Sequence, residues 1–402
     1  MKNEIRQSKL SYKSLKIISI SIGVSFSFLL LEIISRIAPA TDVFPLEKPI
    51  LCEPNSEIKL KCLHRKKPFT KGTWSAGKFY PFNEIAFKES NDIGQFSDVN
   101  FDDFLNKKDK SIKILSIGDS IVEALQVKNS DTFHGILNKK NLNNNYPIIS
   151  TAIGSAGYAF PNFINSLKFA NKNKVLADSI VIMTITPNDF YESFLEFGLK
   201  GRRNGLGQFF FQEGKNDFIF IPFKKKQKFI NNLIDSLLKN SSLTRYLIYN
   251  LKIGEIIKKR FVFFNYGKNQ NKPILKDKYI ENEKYRLSDI AMKKFFREIN
   301  LIRKDQEQRQ RTIFVISYLG DYSFKENEVY NTKQDKFLLE SFAKFATKLG
   351  YSIIDMKPIF LKDLEINQKI FNSPYDSHWN QYGHKVVSEA ILKKVNSINN
   401  KK

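Results

Sequence analysis

Apolar runs alternate with amphipathic stretches along the chain from position 112 onward. The runs IKILSI, PIISTA, SIVIMTIT, TIFVISYL and YSIID have the length and β-branched content of buried strands. Stretches with helical spacing lie between or after them, at FHGILNKK, FINSLKFANK, MKKFFREINLIRK, DKFLLESFAKFATKLG and VVSEAILKKV. Strands that alternate with helices predict a three-layer α/β/α sandwich with a central, mainly parallel sheet. In such sheets, ligand sites form beyond the carboxyl ends of the strands.

Two regions lack this alternation. Residues 38–110 are rich in Pro, Lys, Phe and Asn without a sustained period, which predicts a lead-in of loops and short strands. Residues 197–285 form a basic, aromatic insertion in the principal domain, which we place at 111–398. A lid, a substrate-recognition element and a decorative subdomain remain open hypotheses for the insertion.

The N-terminal part of the chain predicts a membrane span. Residues 15–37 are long enough to cross ~30 Å of hydrocarbon at ~1.5 Å per residue, and no charge interrupts Ile17 to Leu31. Glu32 and Arg36 stand four residues apart and can pair on a helix near the exit interface. A cleaved signal peptide is the alternative, since Ala38-Pro39-Ala40 resembles a cleavage site, but these two charges argue against it.

The charges that flank the span predict its orientation. Basic residues precede it and acidic residues follow it, so residues 1–14 are expected in the cytoplasm and the principal domain on the extracytoplasmic side. In a Gram-negative cell this compartment would be the periplasm. The basic residues are Lys2, Arg6, Lys9, Lys13 and Lys16, and the acidic residues are Asp42, Glu47, Glu53 and Glu57.

The formal net charge of +24 does not by itself predict nucleic-acid binding. The lysines are spread along the whole chain with abundant Asn and Ile, which favours a compositional bias or attraction to anionic lipids and acidic polymers. We therefore expect no nucleic-acid partner.

Three further patterns bear on cofactors and covalent links. Cys52 and Cys62 follow the span closely, so an extracytoplasmic disulfide and two free thiols are both open. No other cysteine is present to complete a closed zinc site. The segment Gly72–Lys78 fits G-x-x-x-x-G-K, but Phe79 replaces the magnesium-binding Ser or Thr and no apolar strand precedes it, which argues against a phosphate loop.

The candidate chemistry begins at Gly118-Asp119-Ser120, directly after the strand IKILSI. A turn between strand and helix would place the Ser120 hydroxyl at the edge of the sheet, although a structural turn is the usual reason for such a triplet. A nucleophilic serine needs a base, and the chain has four histidines. His64 lies in the irregular lead-in, His134 follows the serine turn on a helix, and His384 stands at a helix start, which leaves His378 as the candidate base.

The remaining roles fall to residues near turns. Asp376 precedes His378 by two residues, so in an extended segment its carboxylate can orient the imidazole. Acyl transfer also needs donors for the oxyanion. Gly157 follows the strand PIISTA and Asn188 follows SIVIMTIT, so a backbone N–H and a side-chain amide could serve, although each loop alone would be an ordinary turn.

These blocks resemble the SGNH hydrolase superfamily, also called GDSL-like lipases and esterases, from about residue 112 to the C-terminus. Gly118-Asp119-Ser120 resembles the nucleophile block, Gly157 and Asn188 match the glycine and asparagine of the second and third blocks, and Asp376-Ser377-His378 matches the acid and base. The segment from Asp376 to His384 is similar to a D-x-H-W-N-x-x-G-H ending of membrane-anchored branches. Ala152 and Thr186-Pro187 depart from the usual pattern and bear on the shape of the oxyanion hole.

The resemblance implies a flavodoxin-like α/β/α fold and a serine esterase with the triad Ser120, His378 and Asp376. It implies an oxyanion hole of the Ser120 and Gly157 amides and the Asn188 side chain, and no metal or organic cofactor. The expected substrate is an acylated glycan or lipid. An O-acyltransferase that modifies cell-surface polysaccharide, whose membrane acyl-donor partner is unknown, and a catalytically silent glycan- or lipid-binding protein are the alternatives.

Overall fold

The fold is seen in a computed structural model, which describes residues 12–37, 40–42, 44, 46–47, 65–78, 84–107, 110–142, 146–198, 208–215, 218–221, 236–254, 274–317, 333–375 and 377–400. The predicted site residue Asp376 and the cysteines Cys52 and Cys62 lie outside the described residues.

The described strands range from two residues to nine. They are β1 (Leu46–Glu47), β2 (Arg65–Lys66), β3 (Lys71–Ala76), β4 (Glu84–Glu89), β5 (Ile112–Gly118), β6 (Asn141–Leu142), β7 (Tyr146–Gly154), β8 (Ile180–Ile185), β9 (Gln208–Phe211), β10 (Phe218–Ile221), β11 (Thr312–Ile316) and β12 (Ser352–Asp355).

The described α-helices range from single turns to 29 residues. They are α1 (Tyr12–Ile37), α2 (Phe101–Asn106), α3 (Ser120–Glu123), α4 (Phe133–Leu137), α5 (Phe160–Lys172), α6 (Asn188–Tyr191), α7 (Leu195–Gly198), α8 (Ser242–Arg245), α9 (Ile274–Ile302), α10 (Gln306–Gln310), α11 (Lys333–Lys348), α12 (Met356–Asn367) and α13 (Gln381–Asn399).

The central sheet has the strand order β12–β11–β8–β5–β7–β6. Strands β12 to β7 run parallel, and the short β6 pairs antiparallel with β7 at the edge. In chain order the parallel strands therefore lie as 2-1-3-4-5, the doubly wound order of flavodoxin-like folds. The order reverses between β5 and β8, and the crevice beyond their carboxyl ends is where ligands bind in such sheets.

Each of the five parallel strands sends apolar side chains to both faces. On β8, Val181 and Met183 join the core under α5, α9 and α11, while Ile180 and Ile182 join the core under α3, α4, α12 and α13. A sheet with helices on both faces confirms the predicted three-layer α/β/α sandwich.

The lead-in packs against this sandwich. Strands β3 and β4 form an antiparallel hairpin, so the G-x-x-x-x-G-K match begins in a strand of a hairpin and is not a phosphate loop. Ala86 and Lys88 on β4 are buried. The lead-in thus contributes side chains to the interior.

The described part of the insertion includes the antiparallel hairpin of β9 and β10 and the short helix α8. Helix α9 begins at Ile274 and continues past residue 285, the predicted end of the insertion, into the helical layer of the sandwich.

Helix α1 is long and apolar enough to cross a membrane, with a candidate span at Ser14–Ile37 whose mean hydropathy is 2.3. Arg36 Nε donates to Glu32 Oε1 at 3.0 Å, which confirms the predicted pairing of these two charges. A membrane anchor and a signal sequence share these properties.

Candidate active site

Strand β5 carries Ser120 to the carboxyl edge of the sheet, at the switch point beside β8. Asp119 caps α3, since its carboxylate accepts the Ile121 N–H at 3.0 Å. Ser120 begins the helix and is half-buried, whereas Asp119 and Ile121 are buried. A Cβ at Gly118 would lie 2.5 Å from Val122 Cγ2, so the turn requires glycine. This packing fixes where the serine hydroxyl emerges.

The helix that starts at Ser120 is one turn long. Ala124 adopts a left-handed conformation with φ 47°, and the buried Lys88 amine donates to the Ala124 and Val127 carbonyls at 2.9 and 3.0 Å. These carbonyls therefore do not continue a helical ladder. Helix resumes at Phe133–Leu137, so the predicted helical stretch is confirmed only for that part.

The structure brings Ser120 and His378 together. His378 Nε2 lies 2.7 Å from Ser120 Oγ, and both side chains are half-buried at the protein surface. The Ser373 N–H donates to the His378 carbonyl at 2.9 Å, and the neighbouring Trp379 is fully buried and packs edge-on against Phe133. The buried tryptophan and the backbone contact hold the imidazole over the serine, although residue 378 is 258 positions away in sequence.

The predicted acid, Asp376, lies outside the described residues, so its role remains a prediction. The described residues before it are bonded to one another and to His378. Ser373 Oγ accepts the Tyr375 N–H at 3.3 Å, and Ser373 N–H reaches forward to His378. These contacts link Ser373 to the backbone of Tyr375 and of His378.

The two predicted oxyanion loops follow the strands on either side of β5. Gly157 lies three residues after the end of β7 and has φ 78°, a left-handed conformation that favours glycine. Asn188 lies three residues after the end of β8 and is half-buried. Both loops thus extend from the edge that carries Ser120, and the assignment of their donors remains a prediction.

Thr186 orients the Asn188 amide. Its hydroxyl donates to Asn188 Oδ1 at 2.8 Å, and Asn188 Nδ2 contacts Glu192 at 3.5 Å. A hydroxyl can donate or accept, whereas an ionised carboxylate only accepts, so the Glu192 contact identifies Nδ2 as the donor end of the carboxamide.

Comparisons with solved structures give distant similarities. The chain is similar to a lipolytic protein of the G-D-S-L family from Veillonella parvula, at 10% identity and a TM-score of 0.35 over 70% of this chain and 97% of that one. It is similar to a lipase/acylhydrolase from Enterococcus faecalis, at 12% identity and a TM-score of 0.35, with coverage of 71% and 96%. It is also similar to an acetyl xylan esterase, at 14% identity and a TM-score of 0.35 over 71% of this chain and 100% of that one. No protein-family model and no curated protein sequence matches the chain.

An ion pair that the sequence did not reveal supports the loop that contains Gly157. The Glu123 carboxylate accepts the Ala156 N–H at 2.7 Å and pairs with Lys66 at 3.0 Å. The side chain of Glu123 is 1% exposed and that of Lys66 is 17% exposed. Gln95 adds a third contact, since its Oε1 accepts the Gly154 N–H at 3.0 Å. Lys66 and Gln95 come from the lead-in, where no periodic pattern marked them.

Two buried carboxyl groups lie directly behind the serine turn. Burial raises the pKa of Asp119, against the lowering effect of the Ile121 N–H and the His378 charge. Burial and then the nearby Asp119 charge raise the pKa of Asp189 well above its ordinary value, although Asp189 accepts the Thr186 N–H at 2.7 Å. The interior therefore favours the protonated form of Asp189.

The histidines His134 and His384 are structural. Burial, followed by the Lys88 charge, lowers the pKa of His134 to about 3, and His134 Nε2 lies 3.3 Å from the Val122 carbonyl. Burial also lowers the pKa of His384 well below its ordinary value, and its Nδ1 accepts the Phe133 N–H at 3.2 Å. Both rings are neutral parts of the core beside the site. Within the described ranges, no group of three or more His, Cys, Asp or Glu side chains is placed to hold a metal ion.

Proposed function

We propose that the protein is a membrane-anchored serine ester hydrolase of the SGNH type. The observation that carries this proposal is the 2.7 Å contact between His378 Nε2 and Ser120 Oγ at the switch point of a doubly wound sheet. A serine hydroxyl within hydrogen-bond reach of an imidazole is the arrangement of an activated nucleophile.

The chemistry follows from these two side chains. His378 Nε2 takes the hydroxyl proton while Ser120 Oγ bonds to the ester carbonyl carbon, and the carbonyl electrons move to the oxygen. The Ser120 and Gly157 N–H groups and Asn188 Nδ2 would stabilise this oxyanion. The tetrahedral intermediate then collapses, the C–O bond breaks, and the alcohol leaves with the proton from His378. Water, deprotonated by His378, releases the acid and restores Ser120.

We assign to Asp376 the role of holding the His378 imidazole in the required tautomer. As substrate we propose an acyl ester of a glycan or a lipid. An acyl-enzyme can also pass its acyl group to a sugar hydroxyl, which would make the protein an O-acyltransferase. Product analysis with and without a sugar acceptor separates the two outcomes, since hydrolysis releases the free acid and transfer leaves the acyl group on the sugar.

The test of the site compares alanine substitutions of two serines, Ser120 in the turn after β5 and Ser116 within β5. Ser120→Ala should lower turnover of p-nitrophenyl acetate by at least ~10³-fold, because it removes the nucleophile. Ser116→Ala is the control: Ser116 is fully buried on β5 and its Oγ has no hydrogen-bond partner among the described residues. It should leave turnover unchanged. Equal, background rates in wild type and Ser120→Ala, for this ester and for acylated glycans, would favour a silent binding protein.

We further propose that α1 anchors the protein with residues 1–14 in the cytoplasm and the hydrolase domain outside. The basic flank before the span and the acidic flank after it support this orientation. Protease added to the outer face of intact spheroplasts should degrade the hydrolase domain. Protection of the domain until the cells are lysed would reverse the orientation.

A further inference from the structure

Helix α1 makes a specific connection near its C-terminal end to a segment more than 200 residues away. Glu32 Oε2 accepts the Ser241 hydroxyl at 2.8 Å and the Leu243 N–H at 3.0 Å, and Glu32 Oε1 accepts the Ser242 N–H at 3.0 Å. These are groups at the start of α8, so Glu32 acts as a cap supplied by another helix. The span and the insertion are thereby joined at one carboxylate.

The segment of residues 236–254, which we call the juxtamembrane segment, is also fixed to the lead-in. Arg245 pairs with Asp42 at 3.5 Å, and Asn250 Nδ2 donates to the Gly77 carbonyl at 3.1 Å. The Tyr246 hydroxyl donates to the Lys78 carbonyl. One side of the segment is therefore occupied by contacts with the protein.

Another part of the juxtamembrane segment is apolar and exposed. Leu237, Ile248 and Tyr249 are 45%, 41% and 39% exposed, and Lys239 and Lys252 are exposed beside them. The Arg245 guanidinium donates to the Leu238 and Lys239 carbonyls at 3.1 and 3.3 Å, which holds the start of the segment against α8. Aliphatic and aromatic side chains with flanking lysines are the composition of segments that lie in a membrane interface.

The position of Glu32 sets the height of this surface. Glu32 lies 18 positions after Ser14, where the candidate span begins, so the two are ~27 Å apart along the helix, close to the thickness of the hydrocarbon layer. A segment bonded to Glu32 is thus held at the level where the span leaves the hydrocarbon. The apolar side chains of α1 from Leu15 to Ile37 are exposed, as expected for a helix that faces lipid, and Glu32 bonds the segment to this helix.

We propose that the juxtamembrane segment is a second membrane contact, with Leu237, Ile248 and Tyr249 inserted into the headgroup region of the leaflet that α1 exits. This inference rests on the proposed anchoring by α1. A single helix leaves a domain free to tilt, whereas a second contact fixed to the lead-in restricts its orientation. Ser120 would then act at a defined height above the lipid surface, which suits esters that are part of, or attached to, the membrane.

Tryptophan quenching by brominated lipids tests the contact in the full chain, reconstituted in nanodiscs. Trp74→Phe provides the background, because the remaining tryptophan, Trp379, is fully buried. Tyr249→Trp reports on the proposed contact, and Phe26→Trp, within the span, reports on anchoring. Phe337→Trp is the matched control, an exposed aromatic position on α11.

Interfacial side chains lie ~5–10 Å deep, so lipids brominated near the headgroup should quench the fluorescence of Tyr249→Trp. This quenching should be at least ~half of that which lipids brominated deeper in the acyl chain cause in Phe26→Trp. Phe337→Trp should show no quenching above background. If Tyr249→Trp is quenched no more strongly than Phe337→Trp while Phe26→Trp is quenched, the proposal is overturned and the anchor is retained. The apolar surface would then be assigned to a protein partner or a second copy of the chain. No quenching at position 26 would overturn the anchoring itself.

Discussion

Replacing Glu123 by alanine should lower kcat while leaving KM nearly unchanged. The Glu123 carboxylate accepts the Ala156 N–H at 2.7 Å and pairs with Lys66 at 3.0 Å, and the Glu123 side chain is only 1% exposed. Ala156 precedes Gly157, whose N–H we assign to the oxyanion. The carboxylate therefore acts on the reaction only through the position of this loop.

The expected magnitude follows from the bond that is lost. A hydrogen bond to a charged acceptor contributes ~1.5–3 kcal/mol, and each 1.4 kcal/mol of transition-state stabilisation corresponds to about a factor of ten in rate. If the loop holds its catalytic position mainly through this bond, kcat should fall ~10- to 100-fold. The effect should appear in kcat because oxyanion donors stabilise the transition state more than the bound ester.

The assay is steady-state hydrolysis of p-nitrophenyl acetate, with thermal unfolding measured on the same samples. Lys66→Met and Lys113→Met form a matched pair. Lys113 pairs with Asp178 at 3.1 Å and is 13% exposed, close to the 17% of Lys66, but it lies near the amino end of β5. Lys66→Met should reduce kcat and Lys113→Met should not. A Glu123→Ala variant that loses stability but keeps its kcat would refute the positioning role.

Three further predictions concern packing and protonation. Gly154→Ala would place a Cβ 2.7 Å from side-chain atoms of α3, so urea unfolding should show a loss of ~1–3 kcal/mol, whereas Gly254→Ala, which meets nothing within 4 Å, should change stability by less than ~0.5 kcal/mol. Burial raises the pKa of Asp189, so this carboxyl group stays protonated in the folded protein at pH values above ~3.9, where an unfolded aspartic acid loses its proton. The stability that Asp189 contributes to the wild type therefore falls as pH rises. The Tm of Asp189→Asn relative to wild type should therefore rise between about pH 5 and about pH 8, and a constant difference would contradict this. Burial lowers the pKa of His134 to about 3 and also lowers that of His384, so these two rings should lower stability as pH drops below ~6.5, by up to ~1.4 kcal/mol per pH unit for each ring. The measurement is made in Asp189→Asn, which lacks the opposing carboxyl linkage, and a urea midpoint of that variant that stays flat from about pH 7 to about pH 5 would exclude the histidine linkage.

The layers of the fold could be predicted because the strands of a parallel sheet are buried on both faces. All six residues of β8 are buried, and such a run is apolar without alternation. Candidate site residues were recognisable for a related reason. Ser120, Gly157 and Asn188 follow the ends of β5, β7 and β8, where a doubly wound sheet places its ligand site. Local sequence patterns were therefore sufficient to predict both the strands and the turns that follow them.

The support of the site could not be predicted in the same way. Lys66 and Lys88 lie in a region without a helical or alternating period, and lysine is among the side chains least expected in a protein interior. Their partners are far along the chain: Lys66 pairs with Glu123, and Lys88 donates to Ala124 and Val127. Side chains whose contacts depend on the packing of two distant segments carry no local signature.

The buried amine of Lys88 explains why the lead-in belongs to the same folded unit as the sheet. Burial lowers the pKa of Lys88 to about 7, opposed by the charges of Glu123 and Asp98, so the neutral amine is accessible near physiological pH. A neutral amine has two N–H donors, and the two carbonyls within 3.0 Å, of Ala124 and Val127, accept both. Without β2 and β4, the Val127 carbonyl would lose its Lys88 donor and the Glu123 carboxylate its Lys66 cation, at ~1–3 kcal/mol for each buried polar group, while Ala124 O would keep the Val127 N–H and Glu123 the Ala156 N–H. That loss is a substantial part of the ~5–15 kcal/mol by which a whole domain is stable, so the unit that holds Ser120 in place extends from the sheet through the lead-in.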